Sequence, residues 1–395
     1  MLYTLSPNAT DLRERLLAFM DDYVYPAEPV AEQWAAKNNA AEWDEIPVLA
    51  ELKTRARDQG LWNLYLGAGL GHLDYAHLAE ITGRSPELAP TAINGGAPDS
   101  VNMVMLEAAA NDEQRKRWLE PLQNDEFKSA FAMTEPDVAS SDATNISCSI
   151  VRDGDSYVLN GRKWYISGTM RPRCEVLFVM GVTNPDMPRH QRQSIIGVPI
   201  ATPGVEVVRP MSVFGYVGDH AEITFTDVRV PVANLLGSEG QGFRIAQTRL
   251  AAARLHHSMR LVGLAERALS LASVRGSERV AFGSPLSQIG TFRNQIAECR
   301  LAIDQARLVT LQAASTADEL GTAGAQSHLA MSKIAATRMA IAVIDRAIGM
   351  HGAKGVSQDT PLARWWAKAR SLHIADGPEE VHLELIARAE LGRRT

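Results

Sequence analysis

Two short blocks carry residue types that could hold a flat ring with a hydrogen-bonding edge. The first is FAMTEPDVASSDATN (131–145), and shortly after it comes GRKWYISG (161–168). In the first, Phe131, Ala132, Met133 and Thr134 would supply a strand edge of backbone N–H groups and one hydroxyl, with Pro136 stopping the strand. In the second, Tyr165 and Ile166 would supply a wall and Ser167 a further hydroxyl. Ser140, Ser141 and Asp142 form a polar turn of the kind that receives a phosphate-bearing group. Either block alone reads equally well as a polar turn between hairpin strands; the two in this order argue for a binding site. A third segment, RSLHIADGPEEVHLELIARAEL (370–391), sets Asp376 ahead of Gly377-Pro378. Asp before Gly-Pro is a strong helix-start signal. The same carboxylate, held close to a weak carbon acid and desolvated, would be a general base.

Other features narrow the chemistry by exclusion. His256 and His257 follow Arg254 in the helical run QTRLAAARLHHSMRLVGLAERAL; as helix neighbours they do not share a face, which argues against a metal pair. The three cysteines, Cys148, Cys174 and Cys299, are far apart and form no CxxC. They make neither a disulfide framework nor a zinc site, and they fit a reducing, cytoplasmic compartment. A formal net charge of −6 with no basic run excludes a nucleic-acid groove. The start, MLYTLSPNATDLRERLLAFMDDY, lacks an apolar core segment and reads as a first helix, not a signal peptide. No stretch approaches a membrane span. LWNLYLGAGLGH (61–72) imitates a dinucleotide loop, but His72 stands at the third glycine position and no parallel strand follows, so it reads as a loop between helices.

The elements that must position these residues change period twice along the 395 residues. Residues 1–128 read as helices, with Asn8 and Thr10 as caps and helical spacing in DLRERLLAFMDDYV and EIPVLAELKTRARDQG. Residues 129–239 alternate as strands (SCSIV, SYVLN, KWYIS, EVLFVMG, SIIGVPI, HAEITFTDVRV), with Asp153-Gly154 and Asn160-Gly161 as hairpin turns. Residues 240–395 are helical again. Ile289, Phe292, Ile296, Cys299 and Ile303 make one seam, and Ile334, Ile341, Ile344 and Ile348 make another. These seams predict a bundle.

Taken together, the motifs resemble the acyl-CoA dehydrogenase family over nearly the whole chain. TEPDVASSDATN with DGPEEVH resembles in particular a subgroup that includes dehydrogenase domains of larger eukaryotic proteins. The resemblance implies an α+β fold: an N-terminal helical domain, a middle antiparallel β-barrel or sandwich, and a C-terminal four-helix bundle. It implies FAD as cofactor, an acyl-CoA thioester as substrate, an electron-transferring flavoprotein as oxidant, and a homodimer or homotetramer. Asp376 falls where the family keeps its catalytic carboxylate, usually a Glu, and so is shorter here by one methylene, about 1.5 Å. The alternative base position on the long helix is Ala253 in this chain. Phe131, Met133, Thr134, Ser141, Tyr165 and Ser167 fall at flavin contacts, and Pro378 and Glu380 at further cofactor contacts. Ser141, Arg254 and Gly377 fall at substrate contacts. In SERVAFGSPLSQ (277–288), Arg279 and Phe282 match the segment that reaches the FAD of a neighbouring subunit, and Gly352 and Gly355 of MHGAKG match its adenine end. The departures at Ala281, Ile289-Gly290 and Gly349 fall at that same end. Flavin oxidases of this fold, such as nitroalkane oxidase, also use an Asp base, and a non-catalytic flavin-binding module would keep the same motifs; both readings stay open.

Overall fold

The computed structural model describes residues 3–38 and 45–392. Two compact units form, and neither is continuous in sequence. A helical unit gathers the chain up to Glu28, Arg55–Ile93 and the chain from Ala253 onward; a sheet unit holds Pro29–Thr54 and Asn94–Ala252. The expected succession of helices, sheet and helices is present, and the middle sheet is curled.

The first helix, Pro7–Phe19, is capped by Ser6 and not by Asn8 or Thr10. The Ser6 Oγ accepts from Ala9 N at 3.1 Å, and Pro7 occupies the first turn, where it has no N–H to satisfy. The glycine-rich segment holds a short helix, Leu64–Gly67, and only Gly69 and Gly71 lie in a loop before the helix His72–Gly83. That helix is capped from far away in sequence: the Asp318 carboxylate accepts from the N–H groups of His72 (2.6 Å) and Leu73 (2.9 Å). Among the described residues the C-terminal part has five long helices, Gly242–Glu278, Gly290–Gly324, Gln326–His351, Leu362–Leu372 and Glu379–Gly392, with the short helix Ala353–Val356 between the third and fourth. Phe292, Cys299 and Ile303 on one helix and Ile334 and Ile344 on the next are buried, Phe292 against Gly276 of the helix Gly242–Glu278. Ile289, Ile296, Ile341 and Ile348 of the same two seams are half-buried.

Seven strands form the sheet: β1 Lys128–Ala132, β2 Ser149–Asp153, β3 Ser156–Ile166, β4 Cys174–Val182, β5 Gln193–Pro199, β6 Val205–Val213 and β7 Tyr216–Pro231. Their order is β1-β4-β2-β3-β7-β6, with β5 also on β4. Two expectations need correction. The sheet is mixed, because β1 runs parallel to β4; the long connection through the β2–β3 hairpin gives the chain room to return in the same direction. Asn160-Gly161 is not a turn but lies inside β3, where the register on β7 slips between Leu159 and Gly161. A Cβ at 161 would sit 2.8 Å from the Cys148 side chain, so the bulge needs glycine. Asp153-Gly154 is the hairpin turn, with Gly154 at φ +60°. Among the described residues no helix is long and apolar enough to cross a membrane.

Candidate active site

In the sheet unit, β1 lies at the end of the strand order and carries Phe131; Met133 and Thr134 follow just past its end. A buried ion pair fixes this segment. Lys163, on β3, is fully buried and donates to the Glu135 carboxylate (2.8 Å), the Met133 carbonyl (2.9 Å) and the Met180 carbonyl (2.6 Å). Glu135 also accepts from Ser147 N (2.7 Å), Ser147 Oγ (2.7 Å) and Cys148 N (2.9 Å). Burial would raise the Glu135 pKa, but the Lys163 ammonium and these hydrogen bonds hold it below the ordinary carboxylate range. Trp164 N donates to the Thr134 carbonyl at 3.0 Å. The two motif blocks are therefore joined to each other. The sequence reading passed over this pair, although a Glu and a Lys at fixed places in the two blocks were its signal.

Of the polar turn, two residues are spent on the loop itself. Ser140 Oγ accepts from Glu135 N (2.9 Å), and Asp142 accepts from Thr144 N (3.1 Å) and meets Arg189 at 3.2 Å. Ser141 is exposed. Tyr165 sits at φ 51° with 44% of its surface open, while Ile166 is buried beneath the sheet. Ser167 Oγ lies 3.3 Å from His220 Nε2. A second network, also unread in the sequence, pins β1. Asp99 accepts from Ser129 N and Oγ (2.8 and 2.7 Å), Asn102 donates to Ser129 Oγ (2.9 Å), and Arg249 donates to Asn102 (2.7 Å) with its guanidinium 4.3 Å from the Phe131 ring centre.

In the helical unit, Asp376 and Gly377 make a turn between the last two helices, with φ of 56° and 103°. Asp tolerates the left-handed region better than most residues, at a small cost. Three successive carbonyls of this turn are held by buried cations. Lys333 donates to those of Ala375 and Gly377, and Arg254 Nε donates to that of Asp376 at 3.3 Å. Arg254 is 7% exposed and also reaches Gln326 (3.4 Å); burial lowers its pKa and Asp376 counters that. Among the described residues the Asp376 N–H has no intrachain acceptor, and its carboxylate takes no hydrogen bond from the last helix. The nearest charged or ionisable partner of that carboxylate is His257 Nε2 at 3.8 Å. His382 is buried behind the turn, its ring against the main chain of Asp376 and Gly377. Burial pushes both His257 and His382 down to about 4. Pro378 is half-buried, Glu380 is exposed in the first turn of the last helix, and Ala253 is buried.

At the expected adenine end, Val280–Ala281 and Ser284–Pro285 form a two-strand hairpin with Phe282 at its tip, completely exposed. Arg279 is exposed beside it. Gly352 has φ 63° with open space where a side chain would be, whereas Gly355 packs against the Ile348 carbonyl, which a Cβ would approach to 2.4 Å. These donor sets fit FAD: a strand end with a hydroxyl, a half-exposed aromatic and a serine for the ring, and an arginine with an open glycine turn for the diphosphate end.

Helical segments, a curled sheet with such an edge, and a carboxylate turn before the last helix define a flavin-dependent oxidoreductase of the acyl-CoA dehydrogenase fold. Three family models match in series: the acyl-CoA dehydrogenase N-terminal domain at residues 6–126, the middle domain at 130–228 and the C-terminal domain at 240–391. The chain belongs to the acyl-CoA dehydrogenase family, whose cofactor is FAD. It is 52% identical to probable acyl-CoA dehydrogenase FadE2 of Mycobacterium tuberculosis, over 100% of this chain and 98% of that one. It is 49% identical to acyl-CoA dehydrogenase family member 11 of Gallus gallus, over 99% of this chain but 51% of the relative, so it spans about half of that protein. A solved structure from Mycobacterium abscessus assigned to the same family superposes with a TM-score of 0.95 at 44% identity, covering 99% of this chain and 100% of the other.

Proposed function

We infer that the chain catalyses α,β-dehydrogenation of an acyl-CoA thioester to the 2-enoyl-CoA, with Asp376 as base. The observation that carries the reading is the base turn. Its carbonyls are all turned to Lys333 and Arg254, and among the described residues the Asp376 carboxylate and N–H make no hydrogen bond. In this reading the carboxylate takes the proton from the carbon next to the thioester carbonyl, and the Asp376 N–H donates to that carbonyl as charge develops on its oxygen. Phe131, Met133, Thr134, Tyr165 and Ser167 hold and wall the flavin ring, while Ser141 and Gly377 contact the thioester. Bound FAD supplies the two-electron acceptor for the hydride leaving the β-carbon. The oxidant that follows is an electron-transferring flavoprotein, and the setting is cytoplasmic, where the three free buried cysteines stay reduced.

A homodimer or homotetramer is part of the proposal. Its support is the hairpin arm, since a completely exposed Phe282 beside a 57% exposed Val280 is apolar surface that a second chain would cover. Arg279 then serves the FAD of that partner. Anaerobic titration of the yellow protein with a panel of acyl-CoA thioesters tests the reaction, and bleaching of the flavin is the expected result. Asp376→Asn should still bind the thioester but reduce the flavin at least about a hundredfold more slowly. Near-normal reduction in that variant would return Asp376 to a structural role. Oxygen consumption with a small carbon acid and no CoA would favour the oxidase reading instead.

A further inference from the structure

Lys333 is 5% exposed and belongs to none of the motif blocks. It stands on the helix Gln326–His351, and its ammonium bridges the two carbonyls on either side of Asp376, those of Ala375 and Gly377. A buried lysine ordinarily seeks a carboxylate; this one is spent on two main-chain oxygens of a turn in the left-handed region. Such oxygens would otherwise be free to rotate the peptides 375–376 and 377–378, and with them the Asp376 side chain and N–H. Two charge-assisted hydrogen bonds from one rigidly packed side chain prevent that.

We propose that Lys333 is the positioning residue of the reaction, clamping the 375–377 turn so that the Asp376 carboxylate and N–H are presented together. The proposal rests on Asp376 being the base. The clamp also sets local electrostatics. The groups facing the ammonium are Asp376 on the turn, Arg254 and His257 on the helix Gly242–Glu278, His373 before the turn and His382 on the last helix. Burial pushes the Lys333 ammonium down to about 8, the Asp376 carboxylate countering and Arg254 adding to the fall. As pH rises through that value the clamp loses its charge, and flavin reduction should decline.

The test uses the FAD-loaded protein and, as probe, the straight-chain acyl-CoA of the panel that bleaches it fastest. Lys333→Met should keep FAD and bind the thioester. It should exchange the amides of residues 373–377 at least about tenfold faster and slow flavin reduction about tenfold to hundredfold, the scale of a misplacement near 1 Å. Lys333→Arg, whose guanidinium does not titrate in this range, should restore most of the rate and abolish the limb near pH 8. Unchanged amide exchange in Lys333→Met would overturn the clamp, whatever the rate does. Faster exchange with an unaltered rate and pH profile would overturn its part in the reaction. If Lys333→Met does not fold, a limb near pH 8 that persists in Lys333→Arg overturns the proposal. A near-normal Asp376→Asn would instead sink the base reading, and amide exchange would still report on the clamp.

Discussion

The loop of residues 133–148 and the turn of residues 375–377 are both held by buried lysines, yet in opposite ways. In the sheet unit, Lys163 meets a carboxylate side chain, and both partners lie within the two motif blocks. In the helical unit, Lys333 and Arg254 meet main-chain carbonyls and come from helices outside the motif around Asp376. The first device is an ion pair whose members depend on each other, the lysine also reaching the Met133 and Met180 carbonyls. Among the described residues the second gives its cations no salt-bridge partner, and the Asp376 carboxylate takes no hydrogen bond. In the proposed reading the first loop has only to be rigid, whereas the second turn has to be rigid without using up its base.

The largest effect expected from this contrast is on stability. Lys163→Met alone leaves Glu135 buried and unpaired and should cost about 3–5 kcal/mol in chemical denaturation. Adding Glu135→Leu should recover much of the loss, because the pair is mutual. A double variant no better than the single would break the comparison. Next is acid stability. His257 and His382 have folded values of about 4 against an ordinary 6.5, so above pH 6.5 they are neutral in both states. As pH falls from 6.5 toward 4, the unfolded chain binds protons the folded chain refuses, and stability should drop by a few kcal/mol in sum by about pH 5. His257→Gln with His382→Gln should lessen the loss in that window, leaving the part due to buried His256, which burial also holds well below 6.5. Glu135, whose carboxylate is held below its ordinary value of 4.5, loses its contribution only in more acid solution.

A smaller effect sharpens the role of Arg254. If it serves the turn, Arg254→Met should lower the flavin-reduction rate about tenfold with little change in thioester affinity. A larger change in affinity than in rate would restore the contact with CoA expected from the sequence. The smallest effect is on Asp318, whose replacement by Ala should cost about 1 kcal/mol through the lost cap of the helix His72–Gly83.

What the sequence made legible follows the same division. Period changes located the helices and strands, and the apolar seams of the bundle were readable because burial repeats at helical spacing. Asp153-Gly154 was readable as a turn because its conformation is set by its own residues. Asn160-Gly161 has the same local chemistry, but Cys148, just before β2, decides its geometry, and it became a bulge. The parallel pairing of β1 with β4 is likewise a matter of long-range return, not of local alternation. The candidate cofactor contacts were visible because they cluster in two blocks. Lys333 was not, since a single lysine on an amphipathic helix looks like any solvated one until the turn it meets is known.

The cap supplied by Asp318 also orders events in time. The helix it starts lies near the beginning of the chain, in a unit whose remaining residues begin at Ala253. On a ribosome, the segment Asn94–Ala252 is complete before that partner stretch exists, so the sheet unit can close first while the early helices wait for their last ones. For truncations the consequence is direct: cutting the chain after residue 252 strands the first helices without the surface they were made to cover.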